Sequence, residues 1–183
     1  ELLARIRAVL RRATISKDPS GENPLVIDQE KKLALHKGNK IRLSDYKNNV
    51  LVVVNVASRC GYTPQYNDLQ SLWANYKDKN LVIIGVPTNN FKQEPGTNKE
   101  IKDFCETNFG INFPMSIKTN VIGKDAHPFY KWAKDNHGIG AIPKWNFHKI
   151  IIGKKGKVVD TFASFTKPSS KKFLKLIEEE IKN

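Results

Sequence analysis

Two thiols are available to this chain: Cys60 in the stretch VLVVVNVASRCGYTPQ and Cys105 in IKDFCETNF. A cysteine can serve as nucleophile, redox centre or metal ligand, and in each role the thiolate is the working form. Ahead of Cys60, residues 51–54 are four consecutive apolar side chains, three of them β-branched, which suits a strand buried on both faces of a sheet. Behind it, Pro64 fits the first turn of a helix predicted over residues 65–76. Cys60 is thereby placed at the carboxyl end of a strand and near a helix N-terminus. Unpaired N–H groups and the helix dipole there favour a thiolate, and Arg59 adds a nearby positive charge. A core position fits the same pattern, because free cysteines are among the most buried side chains. Cys105 shares the apolar side of a predicted helix with Ile101 and Phe104, where plain core packing accounts for it. Cys60-Gly61-Tyr62-Thr63 lacks the second cysteine of a C-x-x-C redox pair. His127, His137 and His148 show no repeated close spacing, so no metal site is assigned.

The elements that must hold these groups follow a regular α/β alternation. The strand at 50–54, the helix at 65–76 and a second apolar strand, LVIIGV at 81–86, form a βαβ unit. Residues 87–96, PTNNFKQEPG, then make a polar loop at the carboxyl edge of the sheet, where α/β proteins build their sites and where Cys60 also lies. Thr97 and Glu100 have capping-box spacing and open a helix over 97–109. A further helix is predicted at 127–136, followed by a glycine-rich bend at 138–140. Strands at 147–152 and 157–162 flank a turn at 153–156, and Pro168 opens a terminal helix with Phe173, Leu176, Ile177 and Ile181 as its stripe. Earlier in the chain, Lys37-Gly38-Asn39-Lys40 reads as a hairpin turn between short strands. The order βαβ, helix, ββα is that of a thioredoxin-like α/β fold, a central mixed sheet flanked by helices.

Composition narrows the class. The 183 residues are enough for one domain with its own core, and 39% apolar against 27% charged residues is the balance of a globular protein. Two cysteines are too few for a disulfide scaffold, which points to a reducing compartment such as the cytoplasm. The net charge of +13 favours acidic partners, but the basic residues are spread without a nucleic-acid motif, so a basic solvated surface is the reading and no nucleic-acid partner is assigned. Residues 1–13, ELLARIRAVLRRA, have the spacing of an amphipathic basic helix, and residues 16–24 read as a linker. The domain proper is placed at 25–183. The start at Glu1 rather than Met is that of a processed or truncated chain, and the basic helix also fits an extension targeting a mitochondrion or plastid, or a segment lying on a membrane surface.

Three motifs in order, NVASRCGYTPQY, NNFKQEPG and Trp145-Asn146-Phe147, resemble the glutathione peroxidase family, in its cysteine-using, thioredoxin-dependent branch. The resemblance covers about residues 25–183 and implies a peroxidase of hydrogen peroxide and organic or lipid hydroperoxides. It implies Cys60 as the peroxidatic cysteine, with Gln93, Trp145 and Asn146 completing the site. Cys105 matches the resolving cysteine of that branch, recycled by thioredoxin or, as the alternative reductant, glutathione. No metal or organic cofactor is implied. Residues 1–42 separately resemble the last receiver helix, linker and first strands of response regulators, without a recognition helix.

These residue types suit the chemistry. A thiolate attacks one peroxide oxygen while the other departs as water or alcohol, so the site must hold an anion and donate hydrogen bonds to the leaving oxygen. Gln93 and Asn146 each carry an amide N–H₂ and Trp145 an indole N–H, three neutral donors. Cys60 would become a sulfenic acid, which condenses with a second thiol. A disulfide needs Cα atoms within about 7 Å, so the helix bearing Cys105 is expected to unwind during turnover. Thr88 stands where many members of the family have a cysteine, leaving Cys105 as the internal resolver, and Pro143 departs from the usual approach to the tryptophan. The short 135–145 region lacks the insertion of the tetrameric members, which implies a monomer with an open site. A thioredoxin-like disulfide oxidoreductase or a non-catalytic binding module are the other classes to which the fold extends.

Overall fold

In a computed structural model of the protein, the residues described are 33–34, 40–41 and 43–183. The amphipathic helix and linker expected over residues 1–24, and nearly all of the stretch resembling response regulators, lie outside them. Strands β1 (Leu33–Ala34) and β2 (Lys40–Ile41) pair antiparallel, Leu33 opposite Ile41, on either side of the expected hairpin turn. A short 3₁₀ turn, Leu43–Tyr46, then leads into the central sheet.

The four-stranded sheet has the order β4-β3-β5-β6. Strand β3 (Val50–Val56) runs parallel to β4 (Leu81–Pro87) with Val50 opposite Leu81, and antiparallel to β5 (Lys149–Ile152). Strand β6 (Val158–Phe162) closes the far side, with a register irregularity between Ile151 and Ile152. All seven residues of β3 and all seven of β4 are buried, which is why their sequences run apolar without alternating. The alternation is present in space. Val50, Val52, Val54 and Val56 face one core with Leu69, Ile101, Cys105, Phe173 and Ile177, while Leu51 and Val53 face the other with Ile84, Phe129, Tyr130 and Ala133.

Among the described residues, four α-helices cover the two faces: α1 (Gln65–Tyr76), α2 (Asn98–Phe109) and α4 (Lys171–Lys182) on the first, α3 (Pro128–His137) on the second. Helix α2 has the expected capping box, with Thr97 accepting from the Glu100 N–H, and ends at Gly110 in the left-handed conformation, φ +60°. Helix α3 is capped by His127 with Pro128 in its first turn, and the predicted bend after it is a 3₁₀ turn, Gly138–Ala141. No helix among the described residues is long and apolar enough to cross a membrane.

Two elements start more than one residue from expectation. Strand β5 begins at Lys149 rather than at 147, because Phe147 has φ +63° and breaks the extended run. Helix α4 begins at Lys171 rather than at Pro168, since residues 163–170 form turns closed by the Thr166 N–H on the Ala163 carbonyl and the Ser170 N–H on the Lys167 carbonyl.

Beyond β4, the 113–116 segment adds a single parallel bridge from Met115 to Gly85. The Gly85 N–H donates to the Pro114 carbonyl at 2.9 Å, and the Ser116 N–H donates to the Gly85 carbonyl at 2.8 Å. A side chain at Gly85 would place its Cβ 2.2 Å from Met115 Sδ and 3.2 Å from Phe113 Cε2. Gly85→Ala is therefore expected to destabilise the fold by about 1–3 kcal/mol, read as a lower urea midpoint at unchanged slope. Adding Met115→Ala should cost less than the sum of the two single changes; strict additivity would show that the two positions do not press on each other.

Candidate active site

Strand β3 ends at Val56, and the chain turns at once, so Cys60 lies in the turn between β3 and α1, 7% exposed. The turn is fixed from within by Thr63. Its hydroxyl accepts from the Cys60 N–H at 3.1 Å and donates to the Ala57 carbonyl at 2.8 Å. The Tyr62 N–H donates to Cys60 Sγ at 3.4 Å, so the sulfur already has a backbone donor directed at it.

The loop after β4 is fastened to this turn at two adjacent residues. The Arg59 N–H donates to the Gln93 carbonyl at 3.0 Å. Next to it, the buried Glu94 carboxylate accepts from both the N–H and the hydroxyl of Ser58, at 2.7 and 2.9 Å. Burial raises the Glu94 carboxyl above its usual range, opposed by these Ser58 bonds and by Lys118 and Arg59. Thr88, fully buried, spans the base of the loop: its N–H reaches the Val56 carbonyl and its hydroxyl donates to Asn90 Oδ1 at 3.0 Å.

The segment before β5 arrives from the other side. Asn146 is fully buried and donates from Nδ2 to Gln93 Oε1 at 2.8 Å. That bond occupies the Gln93 carbonyl oxygen and leaves its N–H₂ as the available donor. Trp145 is 41% exposed and its ring sits 5.4 Å from that of Phe91, so the indole lies at the surface and not in the core. The left-handed Phe147 backbone makes this arrangement possible. A bulky residue there is strained, and its fully buried ring, packed edge-on at 5.4 Å against Tyr66, holds it in place. Asn55 of β3 completes the hold: its Nδ2 donates to the Trp145 carbonyl at 3.0 Å, and its own carbonyl accepts from the Phe147 N–H at 2.6 Å.

Gln93, Trp145 and Asn146 are thus all tied to the β3 end that carries Cys60. Cys105 is not joined to it. Both thiols are free, and Cys105 is 1% exposed on an intact α2. Burial pushes the Cys105 thiol up to about 11; Glu94 and Glu106 act in the same direction, and the Tyr66 hydroxyl opposes them. A cleft of about 340 Å³ separates the Cys60 turn from the first half of α2, lined by Ser58, Arg59, Glu94, Glu100, Ile101 and Phe104. Among the described residues no group of three or more acidic, histidine or cysteine side chains is arranged to hold a metal.

Sequence reasoning passed over Asn55, Glu94 and Lys149. A polar residue inside the run VLVVVNV was a visible signal for Asn55, and a lysine in the apolar strand KIII was one for Lys149. Glu94 had no signal of its own beyond standing next to Gln93.

Residues 29–134 match the family model described as glutathione peroxidase. A glutathione peroxidase-like peroxiredoxin of Saccharomyces cerevisiae is 44% identical over 151 residues, 80% of this chain and 91% of its own length. A hydroperoxy fatty acid reductase of a Synechocystis species is 42% identical over 140 residues, 72% of this chain and 83% of that one. Among solved structures, Trgpx in its apo form aligns with a TM-score of 0.65 at 38% identity, covering 83% of this chain and 93% of that chain. A thioredoxin-like protein of Neisseria meningitidis, at 15% identity and TM-score 0.59 over 83% of this chain and 87% of its own, shares the fold. Residues 29–42, which resembled a response regulator, fall inside the peroxidase match instead. A thioredoxin-like fold with a thiol and an amide pair at its sheet edge, matched across most of its length by relatives at this identity, means that the chain belongs to the glutathione peroxidase family.

Proposed function

We propose that Cys60 is the peroxidatic nucleophile of this thiol peroxidase, acting on hydrogen peroxide and organic hydroperoxides. The observation that carries the reading is the Gln93–Asn146 bond of 2.8 Å, in a pair anchored to Arg59 immediately before the cysteine. It occupies the Gln93 carbonyl oxygen and leaves the Gln93 N–H₂ as the available donor. The Cys60 thiolate attacks one peroxide oxygen, the O–O bond breaks, and the departing oxygen takes a proton to leave as water or alcohol. Cys60 is left as a sulfenic acid. The Cys105 thiol then attacks that sulfur and expels water, forming a Cys60–Cys105 disulfide. A thioredoxin-type dithiol reduces the disulfide and is itself oxidised. The name of the yeast relative, a peroxiredoxin, and that of the Synechocystis relative, which specifies hydroperoxy fatty acids, support the substrate class and the thiol route. Two unpaired thiols suit a reducing compartment such as the cytoplasm. We further propose a monomer whose catalytic domain spans residues 25–183, with residues 1–24 as an extension.

Resolution requires α2 to open. Its buried side chains are Ile101 and Cys105, with Phe104 and Phe109 packing half-buried beside them, residues of its first turns border the cleft, and the raised pKa of Cys105 makes the buried thiol unreactive until it is exposed. The capping box is the lock at its start.

Two predictions follow the two thiols. In stopped-flow oxidation by hydrogen peroxide, Cys60→Ser should abolish consumption. Cys105→Ser should keep one fast oxidation and lose thioredoxin-coupled turnover; a Cys60→Ser protein reacting at the wild-type rate would remove the assignment. Separately, Thr97→Ala should cost about 1 kcal/mol of stability and speed disulfide formation after the sulfenic acid has formed. Amide exchange over 98–109 should be faster in the oxidised protein, and equal exchange in both redox states would refute the opening of α2.

A further inference from the structure

Lys149 is a lysine with no solvent exposure, inside the central sheet. Its strand neighbours, Val54 on β3 and Phe162 on β6, are apolar. Its Nζ donates to Gln65 Oε1 and to the Thr166 carbonyl, each at 2.6 Å, and more weakly to the Ser164 carbonyl at 3.5 Å. Three acceptors match the three N–H donors of an ammonium, and the two short distances are those of charge-assisted bonds. Asp68 on α1, which accepts from Ser169 at 3.0 Å, is the carboxylate among the described residues that favours the charged form; His148, just before β5, is held neutral by burial and by Lys149, its pKa lowered to about 4. The 163–170 turns contribute carbonyls and hydroxyls to this node.

From Lys149 an unbroken line of contacts leads to the reactive sulfur. Gln65 is the first residue of α1, and while its side chain accepts from Lys149, its amide donates to the Ser164 carbonyl at 2.6 Å. The Gln65 backbone N–H donates to the Tyr62 carbonyl at 2.9 Å. Tyr62 is the residue whose own N–H is directed at Cys60 Sγ. Lys149 itself lies three positions after Asn146, so its side chain joins the strand that follows Asn146 to the start of α1.

We infer that Lys149 is a positioning residue for Cys60: its ammonium, through Gln65 and the Tyr62 backbone, holds the N–H donor against the sulfur, an inference that rests on Cys60 being the attacking thiol. Burial among apolar neighbours lowers the Lys149 pKa from its ordinary value to about 7, countered by Asp68. Below that pH all three donors are in place. Above it the neutral amine has two donors and no charge assistance, and the hold on the α1 start weakens.

The test uses the Cys105→Ser background, in which only Cys60 reports, and measures two rates across about pH 5.5–9: oxidation by hydrogen peroxide and alkylation by iodoacetamide. Lys149→Met should slow both by about tenfold below pH 7, with the ratio to its parent approaching one above about pH 8. Gln65→Glu keeps an acceptor and adds a charge that stabilises the ammonium, so it should move the inflection to higher pH. A folded Lys149→Met protein with the parent's rates at every pH overturns the inference. If that variant does not fold, an unmoved inflection in Gln65→Glu overturns it. A parent alkylated at Cys60 but inert to peroxide removes the peroxidase reading, and its alkylation profile still decides the role of Lys149.

Discussion

Asn55 is the point on which the site depends. Strand β3 is buried on both faces, so polar groups can be accommodated only toward its carboxyl end, and there Asn55 turns both its backbone and its side chain to the segment before β5. Its carbonyl receives Phe147 and its amide holds the Trp145 carbonyl. Without those bonds the left-handed backbone at Phe147 would be offset by the packing of its ring alone, and Asn146 would lose a fixed route to Gln93. The segment that carries Trp145 and Asn146 is thereby registered to β3 by one residue inside the sheet.

The two cysteines are handled in opposite ways by the same core. Cys60 is placed in a turn held from within by Thr63 and Tyr62 and fastened from outside by Gln93 and Glu94, which accept from the Arg59 and Ser58 N–H groups. Cys105 is enclosed on a helix, beside carboxylates that disfavour its ionised form. On the roles proposed above, Cys60 would react first, and Cys105, 1% exposed on an intact helix, would follow only once α2 opens.

What could be read from the chain was whatever local pattern determines. The apolar run at 51–54, Pro64 ahead of α1 and the Thr97–Glu100 capping box gave their elements with nearly correct bounds, because each is decided by neighbours in sequence. The motifs named Cys60, Gln93, Trp145 and Asn146 but carried no information on how Gln93 and Asn146 pair, since that bond spans 53 positions and depends on the conformation of Phe147. The start of α4 was misplaced because a proline that suits a first helical turn suits the preceding turn as well. For Lys149 the apolar strand KIII was a signal without a partner: what satisfies the ammonium comes from Gln65 and the 163–170 turns, far away in sequence.

The bridge between Gly85 and Met115 bears on how copies of this chain meet one another. Strand β4 lies at the border of the sheet, and a bare border strand offers its backbone as a template to any extended neighbour. Here the Gly85 N–H and carbonyl are both taken by the 114–116 segment, the Pro87 carbonyl is taken by the Thr119 N–H, and Pro87 has no N–H to offer. A foreign strand would have to displace the chain's own polypeptide to add itself there. The same close approach that forbids a side chain at Gly85 thus guards the sheet against intermolecular zippering.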